Sequence, residues 1–162
     1  MPFDLLMDLF DQYPVLVGGG HPYREGGHIP QLPADQLKRF HFFDLNGRDL
    51  AKDREATEKM TRKLGQQYRK PVVGGSDTHQ AVQYGCIRTR FEKTVNEVVE
   101  LYREMQKGSY EICISDQAAF QVQTANLLKR SLKEIYALGG DYVSVLLGKD
   151  PAWTALCRKS VG

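Results

Sequence analysis

The sequence predicts an α/β fold built on a mostly parallel sheet with flanking helices. Two stretches that end alike carry this reading. Val15-Leu16-Val17 runs into Gly18-Gly19-Gly20 and then His21, while Val72-Val73 runs into Gly74-Gly75 and then Ser76-Asp77-Thr78-His79. Each is a short apolar run of buried-strand type, with a glycine exit that delivers polar side chains. Helical stripes lie between the apolar runs, as in parallel strands joined by helices. In such sheets the carboxyl rim is where binding and catalytic side chains gather.

Taken in order, residues 3–12 form an amphipathic helix with Leu5, Leu6, Leu9 and Phe10 on its apolar side, closed by Pro14. Residues 15–17 are the first strand. Residues 18–33 are a Gly- and Pro-rich loop, long for a connection in a compact domain and therefore a functional candidate. Residues 34–40 read as a short helix. Residues 41–45 form the next strand, with imperfect alternation, as when both faces are covered, and with Asn46-Gly47 at its exit. Asp53 opens a helix to Tyr68 whose stripe is Ala56, Met60 and Leu64. After Val72-Val73, residues 86–91 alternate Ile87, Thr89 and Phe91 against Arg88 and Arg90, the pattern of a half-exposed strand.

Thr94-Val95-Asn96-Glu97 has the form of a capping box. The helix it opens carries Val95, Val98, Val99, Tyr102 and Met105 as its stripe and stops at Gly108. Residues 110–114 are a further strand, and Ser115 or Asp116 caps a long helix to Leu138. Residues 142–147 are β-prone, and residues 151–157 read as a last helical turn.

The 162 residues fit one domain, 1–162, with enough chain for a sizeable core. Hydrophobic residues make up 41% and charged residues 26%, the proportions of a soluble globular protein. A net charge of +2 gives no basis for a nucleic-acid or membrane-surface partner. No apolar run approaches the roughly 20 residues of a spanning helix. Three widely spaced cysteines argue against a disulfide framework and for a reducing compartment, the cytoplasm.

Asp77 and His79 are two apart, so an extended exit would point both to one side. Carboxylate oxygen and imidazole nitrogen both suit zinc, manganese or iron. Read alone, the same pair also fits a turn in which Asp77 caps the next segment and His79 is exposed. His21 comes directly off a strand and is a second ligand candidate, whereas His28, between Gly27 and Ile29, reads as a loop histidine. Arg24 has the chemistry to hold a substrate phosphate through two parallel bonds, or else to pair with Glu25 at the surface.

Together these motifs resemble the PHP superfamily, the polymerase and histidinol phosphatase type. The resemblance rests on His21-Pro22-Tyr23-Arg24, then the strand ending in Asp44, Asn46 and Gly47, then Gly74-Gly75-Ser76-Asp77-Thr78-His79, then Tyr84-Gly85-Cys86-Ile87-Arg88-Thr89-Arg90-Phe91. It implies a distorted (β/α)7 barrel with divalent metals at its carboxyl rim, and hydrolysis of phosphoesters of small molecules or nucleotides. His21, Asp77 and His79 would be metal ligands, with no further catalytic residue. Asp44, where relatives often carry Glu, reads as a supporting group. The family's His-x-His is absent from the sequence, so the chain resembles the C-terminal half of such a barrel. Two expectations follow. One is a metal-dependent phosphoesterase whose remaining ligands lie elsewhere. The other is a non-catalytic remnant that pairs its open edge with a second copy or a complementary N-terminal half.

Overall fold

The structure, a computed structural model, describes residues 2–140. Five strands form one sheet in sequence order: β1 (Gly18–Gly19), β2 (Phe42–Asn46), β3 (Val72–Gly75), β4 (Ile87–Phe91) and β5 (Tyr110–Ile114). β1, β2 and β3 pair in parallel, and β4 runs antiparallel to both β3 and β5. Four of the five strands therefore point the same way. Helices α1 (Phe3–Phe10), α2 (Ala34–Arg39), α3 (Gly47–Lys52), α4 (Arg54–Tyr68), α5 (Val98–Lys107) and α6 (Ala118–Ala137) flank the sheet. The strand and helical turn expected over residues 142–147 and 151–157 lie outside the described residues.

β2 contributes to both core clusters, and its alternation is cleaner than its sequence suggests. Phe43 and Leu45 are fully buried. Because side chains alternate along a strand, Asp44 and Asn46 share the opposite face. Phe43 packs with Leu37, Phe40 and Leu64 from α2 and α4. Leu45 joins Leu50, Val72, Cys86, Ile87, Ala118 and Val122 in a second cluster that binds α3 and α6 to the sheet. Burying a side chain as large as Phe43 contributes about 1.5–3 kcal/mol.

The first strand is displaced from its expected place. Pairing falls on Gly18 and Gly19 rather than residues 15–17, and Val15 is exposed. Glycine is needed in this ladder, because a Cβ on Gly18 would run into the Phe42 ring. Upstream of the ladder, His41 substitutes for a further strand pair. Its backbone N–H donates to the Val17 carbonyl at 2.8 Å, and its Nδ1 accepts from the Val17 N–H at 3.0 Å. β1 is an edge of the sheet.

Three helices keep only part of their predicted stripes buried, Leu64 in α4 and Met105 in α5 among them. α1 buries Met7 and sets Phe3 edge-on to Phe40, leaving Leu5 and Leu9 exposed. α4 buries Thr61 and Leu64 with Met60 turned outward. α5 starts at Val98, beyond the expected capping box, with Glu97 as an N-cap that makes no side-chain bond. Its Val98 and Val99 are exposed, and Glu104 is buried beneath Lys93 and Lys107.

α3 is a helix that periodicity does not reveal. Asn46 caps it, the side chain accepting from the Arg48 N–H. Gly47 is required here, because a Cβ would come within 2.9 Å of the Ser76 carbonyl oxygen. The start of α3 thus lies against the exit of β3.

Candidate functional site

The exits of β1, β2 and β3 meet at one rim. Both turns that deliver candidate residues use left-handed backbone at a non-glycine position, with φ of 37° at His21 and 52° at Asp77. Such conformations cost about 1–3 kcal/mol each and persist only where the surroundings hold them. At Asp77 the holding group is Gln83, buried at 4% exposure. Its side-chain amide donates to the Ser76 carbonyl at 2.8 Å and accepts from the His79 N–H at 3.2 Å. Gln121 of α6 ties the same turn by donating to the Val82 carbonyl at 3.1 Å.

Arg24 links the three exits. Its Nε donates to Asp49 Oδ1 at 3.1 Å, and its Nη2 donates to Asn46 Oδ1 at 2.6 Å and Asp77 Oδ2 at 3.1 Å. The predicted surface pair with Glu25 is not made; Glu25 pairs with Lys52. Burial works to lower the Arg24 pKa, but the bonds to Asp49 and Asp77 outweigh it and the pKa is raised. Burial likewise favours protonation of Asp77, yet hydrogen bonds from Arg24 and Asn46 hold it below the usual aspartate value. Asp44 behaves oppositely: burial raises its pKa, against Asn46 and His21, which lower it.

The orientation of Asn46 follows from its donors. Its Oδ1 accepts from both Arg24 and the Arg48 N–H, so its amide nitrogen faces Asp44 Oδ2 and His21 Nδ1, each at 3.3 Å. His21 Nδ1 is therefore an acceptor toward Asn46. His21, Asn46, Arg24 and Asp77 form one connected network. His79 joins that network at Asp77, its Nδ1 lying 3.9 Å from the carboxylate Oδ1 and hydrogen-bonded to the backbone. Its Nδ1 lies 2.8 Å from the Asp77 carbonyl oxygen. A carbonyl only accepts, so Nδ1 carries a proton, which leaves Nε2 the lone pair of the neutral ring. Nε2 has no partner among the described residues. His28 stands apart, bonded to Gln31.

These donors do not make a metal centre by themselves. Among the described residues no three His, Cys, Asp or Glu side chains gather in a group able to hold an ion. Asp77 Oδ2 is engaged by a guanidinium, and His21 Nδ1 by an amide. His79 Nε2 and Asp77 Oδ1 accept no hydrogen bond among the described residues. Asn46, whose cap and network position together organise the rim, escapes sequence reasoning; Asn three residues before Asp49 was the available signal.

Residues 59–110 match a family model described as PHP-associated. That segment takes in α4 from Lys59, β3, the Asp77–His79 turn, β4 and α5, while His21 and Arg24 precede it. The crystal structure of PsfC from Pseudomonas syringae PB-5123 has a similar fold, with a TM-score of 0.61 at 19% identity. The likeness covers 81% of this chain and 52% of that one, so the chain spans about half the length of PsfC. No curated protein matches.

Proposed function

We propose that the chain is the C-terminal half of a distorted (β/α)7 PHP-type barrel and supplies one side of a phosphoesterase site. The observation that carries this reading is the Asp77–His79 turn. It holds a carboxylate and an imidazole with an open Nε2 at the carboxyl end of β3, within the PHP-associated segment. A bound divalent ion, zinc, manganese or iron, would polarise a phosphoryl oxygen and supply hydroxide near neutral pH. The chain's own part is positional. Gln83 fixes the turn, Asp77 is kept ionised by Arg24, and Asn46 sets the tautomer of His21. The remaining ligands belong to the part of the barrel outside this sequence, whether in one polypeptide or in a partner. Cys86 and Cys113, both free thiols, suit the cytoplasm.

The non-catalytic reading is favoured by a separate observation, the two-residue edge strand β1. On that reading the chain alone is an assembly module that self-associates or recruits a complementary half. The two readings are separated by assaying p-nitrophenyl phosphate hydrolysis with manganese. The chain is measured alone and joined to a His-x-His-bearing N-terminal PHP half. Hydrolysis by the joined protein, abolished by Asp77→Asn and by His79→Ala, is the expected result. A folded joined protein that binds metal without hydrolysing phosphoesters would overturn the phosphoesterase reading.

A further inference from the structure

The sheet end opposite the rim carries a cavity of about 380 Å³. It lies where α4 and α5 finish and β3 and β5 start, with Val72 and Tyr110 in its wall. Asp77 and His79 follow the far end of β3. A space of this size falls in the range of small-molecule sites. Its charge is one-sided: Arg62, Arg69, Lys70 and Lys107 line it, and among the described residues no carboxylate does. The cleft between α3 and α6 instead mixes Arg24, Arg48 and Lys52 with Glu25 and Asp49.

Two of the four cations have partners outside the wall, Arg62 on Glu58 and Lys107 on Glu104. Arg69 and Lys70 have no ion-pair partner among the described residues. Lys70 is half-buried, and burial holds its pKa below the ordinary lysine value. An anion beside it removes that cost. Cations near a helix C-terminus often serve the free carbonyls of the last turn. Here the backbone already caps them. The Lys70 N–H donates to the Gly65 carbonyl at 2.8 Å and the Arg69 N–H to that of Gln66 at 3.2 Å. Ser109 and Gly108 close α5 in the same way on Glu104 and Met105. The two ends differ in one residue. α5 puts Gly108 at its left-handed position, with φ of 73°, whereas α4 puts Arg69 there, with φ of 53°. Glycine adopts this conformation without strain and arginine does not. An arginine kept where glycine would relax the chain points to a use for its side chain.

We propose that this cavity binds a small polyanion of the di- or triphosphate class, held by Arg69 and Lys70 and flanked by Arg62 and Lys107. Arginine offers an oxyanion two parallel N–H bonds, and lysine adds a compact charge. Tyr110 fixes the wall by donating its hydroxyl to the Val72 carbonyl at 2.8 Å. The cavity shares no residue with the rim, so its ligand is an effector rather than a substrate, and its occupancy is independent of the phosphoesterase reading.

Calorimetric titration of the chain with sodium tripolyphosphate and with ATP, in the presence of a chelator, tests this site. Saturable tripolyphosphate binding is expected, weakened about tenfold by Arg69→Gln and by Lys70→Gln, since each removes one charge-assisted contact. Arg48→Gln, at the rim, leaves it unchanged. Arg69→Gly separates binding from folding: tripolyphosphate binding weakens while the urea midpoint holds or rises, because the left-handed arginine is gone. Tripolyphosphate also slows acetylation of Lys70 in the unaltered chain, read by peptide mass spectrometry. ATP that binds more tightly than tripolyphosphate identifies a nucleotide as the source, with its nucleoside on the wall of Pro71 and Tyr110. Equal affinity identifies the polyphosphate group alone. Equal tripolyphosphate affinity in wild type and the Arg69→Gln/Lys70→Gln double variant would overturn the site. Absence of saturable binding in wild type, or Lys70 acetylation unchanged at high tripolyphosphate, would do the same.

Discussion

The two edges of the sheet are built by different physics. At one edge β4 and β5 pair over five registered positions, with Ile87 buried and Arg88 and Arg90 facing solvent. At the other, β1 contributes two glycines, and what holds it is a set of side-chain bonds from His41 and Arg24. The first edge is held by hydrophobic burial that tolerates many polar changes. The second depends on a few polar groups, each with a named partner. A rim assembled from such groups is adjustable, and it is also where single substitutions alter the chemistry.

The largest contrast is expected from truncating one apolar residue at each edge. Ile87→Ala removes a core side chain and should cost about 2–5 kcal/mol. Val15→Ala, at an exposed position, should stay within about 0.5 kcal/mol. Urea unfolding measures both, and a costlier Val15→Ala would reverse the comparison.

Arg24→Ala comes next, at about 1–2 kcal/mol, because it leaves Asp49, Asn46 and Asp77 short of a donor in a partly solvated site. Amide exchange should quicken across residues 18–33 while β4 and β5 stay protected. Equal loss of protection at both edges would show that Arg24 supports the whole fold rather than the rim.

The carboxylates of the rim sharpen the contrast through pH. Asp77 sits below the ordinary value, so its ionisation stabilises the fold above about pH 4, and that contribution is lost as pH falls through the folded value. Asp44 sits above it, so stability is lost as pH rises from the ordinary value through the raised one. Unfolding measured from about pH 3 to about pH 7 should show a flatter acid limb in Asp77→Asn. Asp44→Asn should gain on wild type as pH rises. Parallel profiles in both variants would contradict these assignments.

The smallest effect is expected from the Arg90–Glu111 pair, which joins β4 to β5 in full solvent. Arg90→Ala should change stability by less than about 0.5 kcal/mol.

How far the sequence reveals these features follows the same division. β4 and β5 are legible because Ile87, Thr89 and Phe91 alternate with arginines, and the structure pairs them in that register. β1 is misplaced because an apolar run at residues 15–17 outweighs glycines in any hydrophobicity reading. The close approach of Gly18 to the Phe42 ring is a tertiary contact that no local pattern shows. α3 is too short to show a stripe, and its evidence is the Asn46 cap. At the rim, the residue types at His21, Arg24, Asp77 and His79 stand out in the sequence. The bond from Arg24 to Asp77 does not, because it joins positions separated by 53 residues. Asn46 looks like a strand exit until its amide is seen between Arg24 and His21.

The central claim is that this rim is one side of a site whose full ligand set requires the rest of a barrel. Equilibrium dialysis of the chain alone against zinc and manganese, followed by elemental analysis, tests that claim most directly. Less than one retained ion per chain is expected, with Asp77 Oδ2 held by Arg24 and no group of three ligands gathered among the described residues. Two or three ions retained per chain would contradict it.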